Sequence, residues 1–179
     1  MNTKMLLAGF GGQGILFSGK FIAYAGLLAG TQVSWLPSYG PEMRGGTARC
    51  SVILSDSPVG SPIVDTPDVL VAMNLPSLDK FEASVAPGGH IFVESSLISR
   101  KVERTDVTVH YLPATKMAEE QSLPGLANMI MAGAVLGVLP GITPEIIEGS
   151  MKKTVPERKQ ALFASNMTAV KLGMEFSGV

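Results

Sequence analysis

Gly9, Gly11 and Gly14 stand in G-x-G-x-x-G spacing within Gly9-Phe10-Gly11-Gly12-Gln13-Gly14. Between a strand and a helix, such a run lets backbone approach a phosphate closely and aims the helix's unpaired N–H groups at it. Gln13 brings a carboxamide to the turn tip, able to bond a phosphate, a carbonyl or a partner's backbone. No Asp or Glu precedes Glu42, while Lys4 and Lys20 do, so the neighbouring sequence holds nothing that repels an anion. A tight turn that only packs helix on sheet accounts for the motif equally well.

A second loop follows, Pro37-Ser38-Tyr39-Gly40-Pro41-Glu42-Met43-Arg44-Gly45-Gly46. Ordering so much glycine for packing alone is costly, and loops of this kind commonly carry function. Arg44 offers a planar fork for phosphate or carboxylate, and the adjacent glycines leave its approach open. Tyr39 can stack or donate a hydrogen bond. An internal Glu42–Arg44 pair is the plainer alternative. A dinucleotide site expects an acidic residue about 20 positions on, at the end of the second strand. That strand ends Ser34-Trp35-Leu36-Pro37, which weighs against NAD or FAD.

The remaining chemistry is sparse. His90 and His110 lack metal-ligand spacing, no serine lies in a G-x-S-x-G elbow, and no self-sufficient catalytic set emerges. Cys50, the only cysteine, reads as a small apolar filler; it supplies neither disulfide nor iron–sulfur ligand set. Asp56, Asp65 and Asp68 read as turn and cap residues. We therefore expect no catalytic residue and no metal ligand in this chain.

The elements that would position the two loops follow from patterning. Met5 to Gly9 reads as a buried strand, Gly14 to Ala29 as a helix stopped by Gly30, and Thr31 to Leu36 as a second strand. This βαβ unit predicts that the two strands run parallel. Thr47 to Leu54 reads as a strand suited to an antiparallel edge. Further strands are expected at Val69 to Met73, His90 to Glu94 and Val107 to Leu112. Leu75 to Val85 reads as a helix with Asn74 as its cap and Pro76 in its first turn. The last third predicts helices at Thr115 to Gln121, Asn128 to Val138 (apolar all round, hence buried), from Thr143-Pro144-Glu145 onward, and Pro156 to Leu172. The whole predicts a three-layer α/β/α domain, residues 1–179, with a mostly parallel, mixed sheet starting in a Rossmann-like βαβ unit.

The 179 residues carry a net charge of −1, with 46% hydrophobic and 16% charged positions. The balance excludes broad nucleic-acid binding and implies surface covered by another subunit. No signal peptide is evident, and the longest apolar run, Met129 to Leu139, falls short of the ~20 residues a membrane span needs. A cytoplasmic protein is expected.

At the two loops the sequence resembles the gamma subunit of 2-oxoacid:ferredoxin oxidoreductases acting on pyruvate, 2-oxoglutarate or branched 2-oxoacids. The resemblance covers nearly the whole chain. It is carried by Gly9 to Gly14, by Pro37 to Thr47, by Ser61-Pro62 with Pro67-Asp68, and by Leu126-Ala127-Asn128-Met129; the Ser-Tyr-Gly-Pro-Glu-x-Arg-Gly-Gly run is the specific part. It implies one subunit of an enzyme that converts a 2-oxoacid, coenzyme A and oxidised ferredoxin to acyl-CoA, carbon dioxide and reduced ferredoxin. The resemblance places thiamine diphosphate on alpha and beta partners and iron–sulfur clusters on beta or delta partners. This chain agrees in lacking a Gly-Asp-Gly thiamine-diphosphate start and cluster cysteines. Its implied role is to dock on those subunits and help enclose coenzyme A or the thiamine site. The residues expected at that site are Gly11, Gly12, Gln13, Gly14, Ser38, Tyr39, Arg44, Gly45 and Gly46. Indolepyruvate oxidoreductases use a similar small domain, so the 2-oxoacid stays open, as does self-association of the isolated chain. Two other readings stand beside it: a stand-alone nucleotide-binding α/β protein, and a scaffold whose loops grip only protein.

Overall fold

The structure is a computed structural model that describes residues 2–39, 46–156, 159 and 161–176. Its strands are β1 (Asn2–Phe10), β2 (Gln32–Tyr39), β3 (Thr47–Ser55), β4 (Val69–Ala72), β5 (His90–Glu94) and β6 (Thr108–Leu112). Its helices are α1 (Ile15–Leu28), α2 (Leu75–Phe81), α3 (Ala114–Glu120), α4 (Ala127–Val138), α5 (Pro144–Thr154) and α6 (Ala161–Phe176), and a 3-10 turn at Glu82–Ser84 continues α2. The strands form one mixed sheet in the order β2-β3-β1-β4-β5-β6. β4, β5 and β6 add to β1 in parallel, whereas β3 pairs antiparallel with both β1 and β2.

Two expectations about the opening unit need correction. β1 and β2 do run in the same direction, but they are not neighbours, because β3 lies between them. β3 is antiparallel as expected yet internal; the edge is β2. That position explains Pro37, which the sequence placed in a loop and the structure places inside β2, opposite Cys50. A proline lacks an N–H and is tolerated where one side of the strand has no ladder to complete.

Strand alternation divides the interior in two. One face carries Met5, Leu7, Cys50, Leu54, Val71 and Phe92 and is covered by α1 and α3 to α6. The other carries Leu6, Ala8, Leu70, Ile91 and Val93 beneath Leu78, Phe81 and Val85 of α2 and its extension. This second helical layer is thin. α4 is buried almost throughout, as its all-round apolarity demands. It crosses α6 at glycine: an added Cβ on Gly133 or Gly173 would collide with the partner helix's backbone at Val170 or Ile130. α1 sits on β3 the same way, with Gly19 against Cys50 and Gly26 against Leu54.

Local signals place the helix ends. Asn74 Oδ1 accepts from Ser77 N–H at 2.9 Å and starts α2. Thr143 accepts from Ile146 N–H and starts α5, with Pro144 in its first turn. Among the described residues no helix is long and apolar enough to cross a membrane.

Candidate functional site

The parallel strands β1, β4, β5 and β6 end on one edge of the sheet. From there the chain leaves β1 for α1 on one face and β4 for α2 on the other. Such a divergence opens a crevice at the carboxyl ends of the strands, where ligands of α/β sheets bind. The glycine turn lies there.

Its shape is set by two carboxamides. Gln13 folds back over the end of β1: Oε1 accepts from Phe10 N–H at 2.7 Å, and Nε2 donates to the Met73 carbonyl at 3.0 Å, just past β4. Gly9 makes the space, because a Cβ there would lie 2.6 Å from Gln13 Oε1 and 2.9 Å from Met73 Cβ. At the other end Asn128, from α4, donates to the Gly14 carbonyl at 3.1 Å. Gly14 takes a left-handed φ of 75°, and a side chain there would run into Asn128. Gly12 has a φ of 100°, and nothing lies within 4 Å of where its Cβ would stand. The amide expected to be available on Gln13 is thus committed to the protein's own backbone. The open polar groups are the Gly12 backbone and the start of α1, whose N-cap Gly14 provides no side-chain bond.

The two loops that the sequence set apart are joined: Gly11 N–H donates to the Gly46 carbonyl at 2.9 Å. Ser38 and Tyr39 belong to β2, opposite Arg49 and Ala48 of β3. Ser38 is therefore two strands away from β1 rather than in the turn. Arg44 and Gly45 lie outside the described residues.

A cleft of about 320 Å³ opens beside the turn, lined by Gly12, Gln13, Met73, Thr115, Glu119 and Asn128 among others. Glu119 changes the electrostatics read from sequence. The first turn of α1 holds no acid, but α3 brings this carboxylate into the same cleft from far downstream. Buried Glu94, at the end of β5, accepts from Thr115 N–H at 2.8 Å and from Leu97 N–H at 2.9 Å. It fixes α3 and the β5 loop on the same rim. That rim is also apolar at its surface: Phe10 ends β1, Leu75 and Leu97 follow the adjacent β4 and β5, and the three remain 40%, 40% and 53% exposed. Sequence reading missed Asn128, Glu119 and Glu94 as parts of the site; of the three, only Asn128 lay within a run that carried the family resemblance.

Other polar clusters lie elsewhere. His90 Nδ1 and His110 Nε2 are 3.0 Å apart near the amino end of β5, with Phe92 stacked on His110. Burial, then the neighbouring His90, pushes His110 below its ordinary value. Arg100 bridges Asp79 and Glu82 at 2.8 and 2.6 Å and ties the segment before β6 to α2. Burial opposes ionisation of Glu82, but Arg100 and the Glu103 and Arg104 amides prevail and hold it low. Cys50 is fully buried, its thiol pushed up to about 12, chiefly by burial. It is the filler that the sequence predicted.

Residues 4–176 match the family model of the pyruvate ferredoxin/flavodoxin oxidoreductase domain. The chain belongs to this family. It is 34% identical to the 2-oxoglutarate synthase subunit KorC of Methanocaldococcus jannaschii, covering 98% of this chain and 94% of that one. It is 39% identical to the ketoisovalerate oxidoreductase subunit VorA of Methanothermobacter thermautotrophicus, covering 98% of this chain but 36% of the relative. The chain thus spans about a third of that relative's length. Among solved structures, the keto/oxoacid ferredoxin oxidoreductase gamma subunit from Geobacter sulfurreducens superposes with a TM-score of 0.82 at 27% identity, over 98% of both chains. The 2-oxoglutarate:ferredoxin oxidoreductase of Magnetococcus marinus, solved with 2-oxoglutarate, coenzyme A and succinyl-CoA bound, shares the fold at a TM-score of 0.87 and 23% identity. That match covers 99% of this chain and 31% of the other.

Proposed function

We propose that this chain is the gamma-type subunit of a 2-oxoacid:ferredoxin oxidoreductase, a single domain over residues 1–179. The complex it completes joins a 2-oxoacid carbon skeleton to coenzyme A, releases carbon dioxide and passes the electrons to ferredoxin. Alpha and beta subunits, with a delta subunit in some assemblies, supply thiamine diphosphate and iron–sulfur clusters. Cys50, single and buried, cannot hold a cluster from this side. Near full-length similarity to KorC and to the Geobacter gamma subunit supports this place in the assembly. Names among the relatives span ketoisovalerate, 2-oxoglutarate and pyruvate, which fits a substrate choice made on other subunits.

One observation supports the site assignment: Gly46, the described end of the arginine loop, accepts a hydrogen bond from Gly11 of the glycine turn at the carboxyl edge of the sheet. There the Gly12 backbone and the start of α1 can orient an anion, and Arg44 can pair with a coenzyme phosphate or a partner carboxylate. Phe10, Leu75 and Leu97 then pack against the partner and exclude water. Glu119 favours a second reading, in which the cleft grips a cationic side chain of the partner and coenzyme A lies elsewhere. Arg44→Ala in the reconstituted complex separates the two. A raised KM for coenzyme A with intact assembly supports the coenzyme reading, and lost assembly supports the protein grip. Unchanged saturation and unchanged assembly refute a role for this loop.

A further inference from the structure

We infer that Asn128 is a positioning residue: from α4 it fixes the tilt of the Gly14 peptide, and so the direction of the Gly12 backbone that lines the cleft and of the amides that open α1 beside it. This rests on the reading above, that the turn faces coenzyme A.

The hydrogen-bond inventory at Gly14 argues for it. The Gly14 carbonyl already accepts from Ser18 N–H at 3.0 Å, and Ser18 Oγ shares its one hydrogen between this carbonyl and that of Ile15, 3.1 Å from each. It needs no third donor, so removing one leaves no buried acceptor unsatisfied. Asn128, a buried residue at 6% exposure, nevertheless directs its carboxamide at it from a distant element. Its side chain also lies close over the turn, with Asn128 Cβ 3.3 Å from where a Gly14 Cβ would stand. A third donor in a fixed direction restricts how the peptide can rotate. Gln13 does the same at the other end, through Phe10 and Met73. Between the two clamps lie the left-handed glycines Gly12 and Gly14, the residues with most freedom to tilt. Binding groups held this way lose less entropy on capture.

The test uses the reconstituted oxidoreductase with coenzyme A as the varied substrate. Asn128→Ala removes the donor; Asn128→Leu also removes it but keeps the branched side-chain shape and adds no charge. Both should raise the KM for coenzyme A roughly fivefold to tenfold, the loss of about one hydrogen bond. The turnover number should stay within about twofold and the KM for the 2-oxoacid should not move. If a folded variant keeps a wild-type KM for coenzyme A while Arg44→Ala raises it, the positioning role is overturned and the site survives. If neither changes the KM, the site reading fails as well. A fall in turnover and melting temperature at constant KM, or failure of both variants to assemble, shows a purely structural amide and also overturns the inference.

Discussion

Gly173→Ala tests the packing that holds α4, and with it Asn128, against the rest of the domain. A Cβ at Gly173 would overlap the Ile130 carbonyl oxygen and stand 2.8 Å from both Ala134 N and Ile130 C. That is about 0.6 Å inside ordinary contact, and every obstacle is helix backbone, which cannot rotate aside. Overpacking costs about 1–3 kcal/mol where side chains yield, so backbone places this case near the top, ~3 kcal/mol. Alanine's better helix propensity returns ~1 kcal/mol. The net loss of ~2 kcal/mol should lower the melting temperature by about 4–8 °C for a chain of this size. Gly149→Ala in α5 is the paired control. Its Cβ would meet only Leu28 Cδ1, at 3.0 Å, and Leu28 is 43% exposed and can swing away. There the propensity gain should dominate and the midpoint should rise by about 2–4 °C. The assay is thermal unfolding of both variants beside wild type, followed by circular dichroism. A Gly173→Ala protein that melts at or above wild type refutes the reasoning, because the backbone contact would then not limit how α6 approaches α4.

The imidazole pair predicts an acid-side loss of stability. His110 has its pKa lowered from 6.5 in the fold, so its contribution is complete above that value and is lost as pH falls from there through the folded value. Melting temperature should drop as pH goes from about 7 to about 5, and His110→Asn should flatten that slope; an unchanged slope counts against the pair. Glu82→Gln keeps the side-chain shape but removes the carboxylate that Arg100 and the Glu103 N–H hold at 2.6 Å each. It should cost about 2 kcal/mol in urea titration at neutral pH. Because the Glu82 pKa is lowered, that difference should vanish as pH falls below the ordinary carboxyl range, and a difference that persists there points to packing instead.

What the sequence made legible was local. The Asn74 and Thr143 caps each span three residues, and the Gly30 stop, at φ 84°, is one residue's conformation. Each is decided before the chain meets distant neighbours. Strand order is decided otherwise: nothing within β1-α1-β2 says that β3 will insert, because its ladder with β1 pairs residues some 37 to 53 positions apart, Phe10 with Thr47 and Asn2 with Ser55. Pro37 misled for the same reason, since its tolerance depends on β2 ending up at an edge. The candidate site shows the division most sharply. The G-x-G-x-x-G spacing located the turn correctly, but what the glycines do depends on groups no local window contains. Gly9 clears the way for Gln13 to reach Met73, and Gly14 for Asn128, 114 positions away. Glu119 enters the same cleft from α3. Two of the motif's glycines are therefore spent on shaping the turn from within. Gly12 is the glycine of this run that lines the cleft, with nothing within 4 Å of where its Cβ would stand, so what its backbone can meet there depends on the carboxamides of Gln13 and Asn128 that hold the turn on either side.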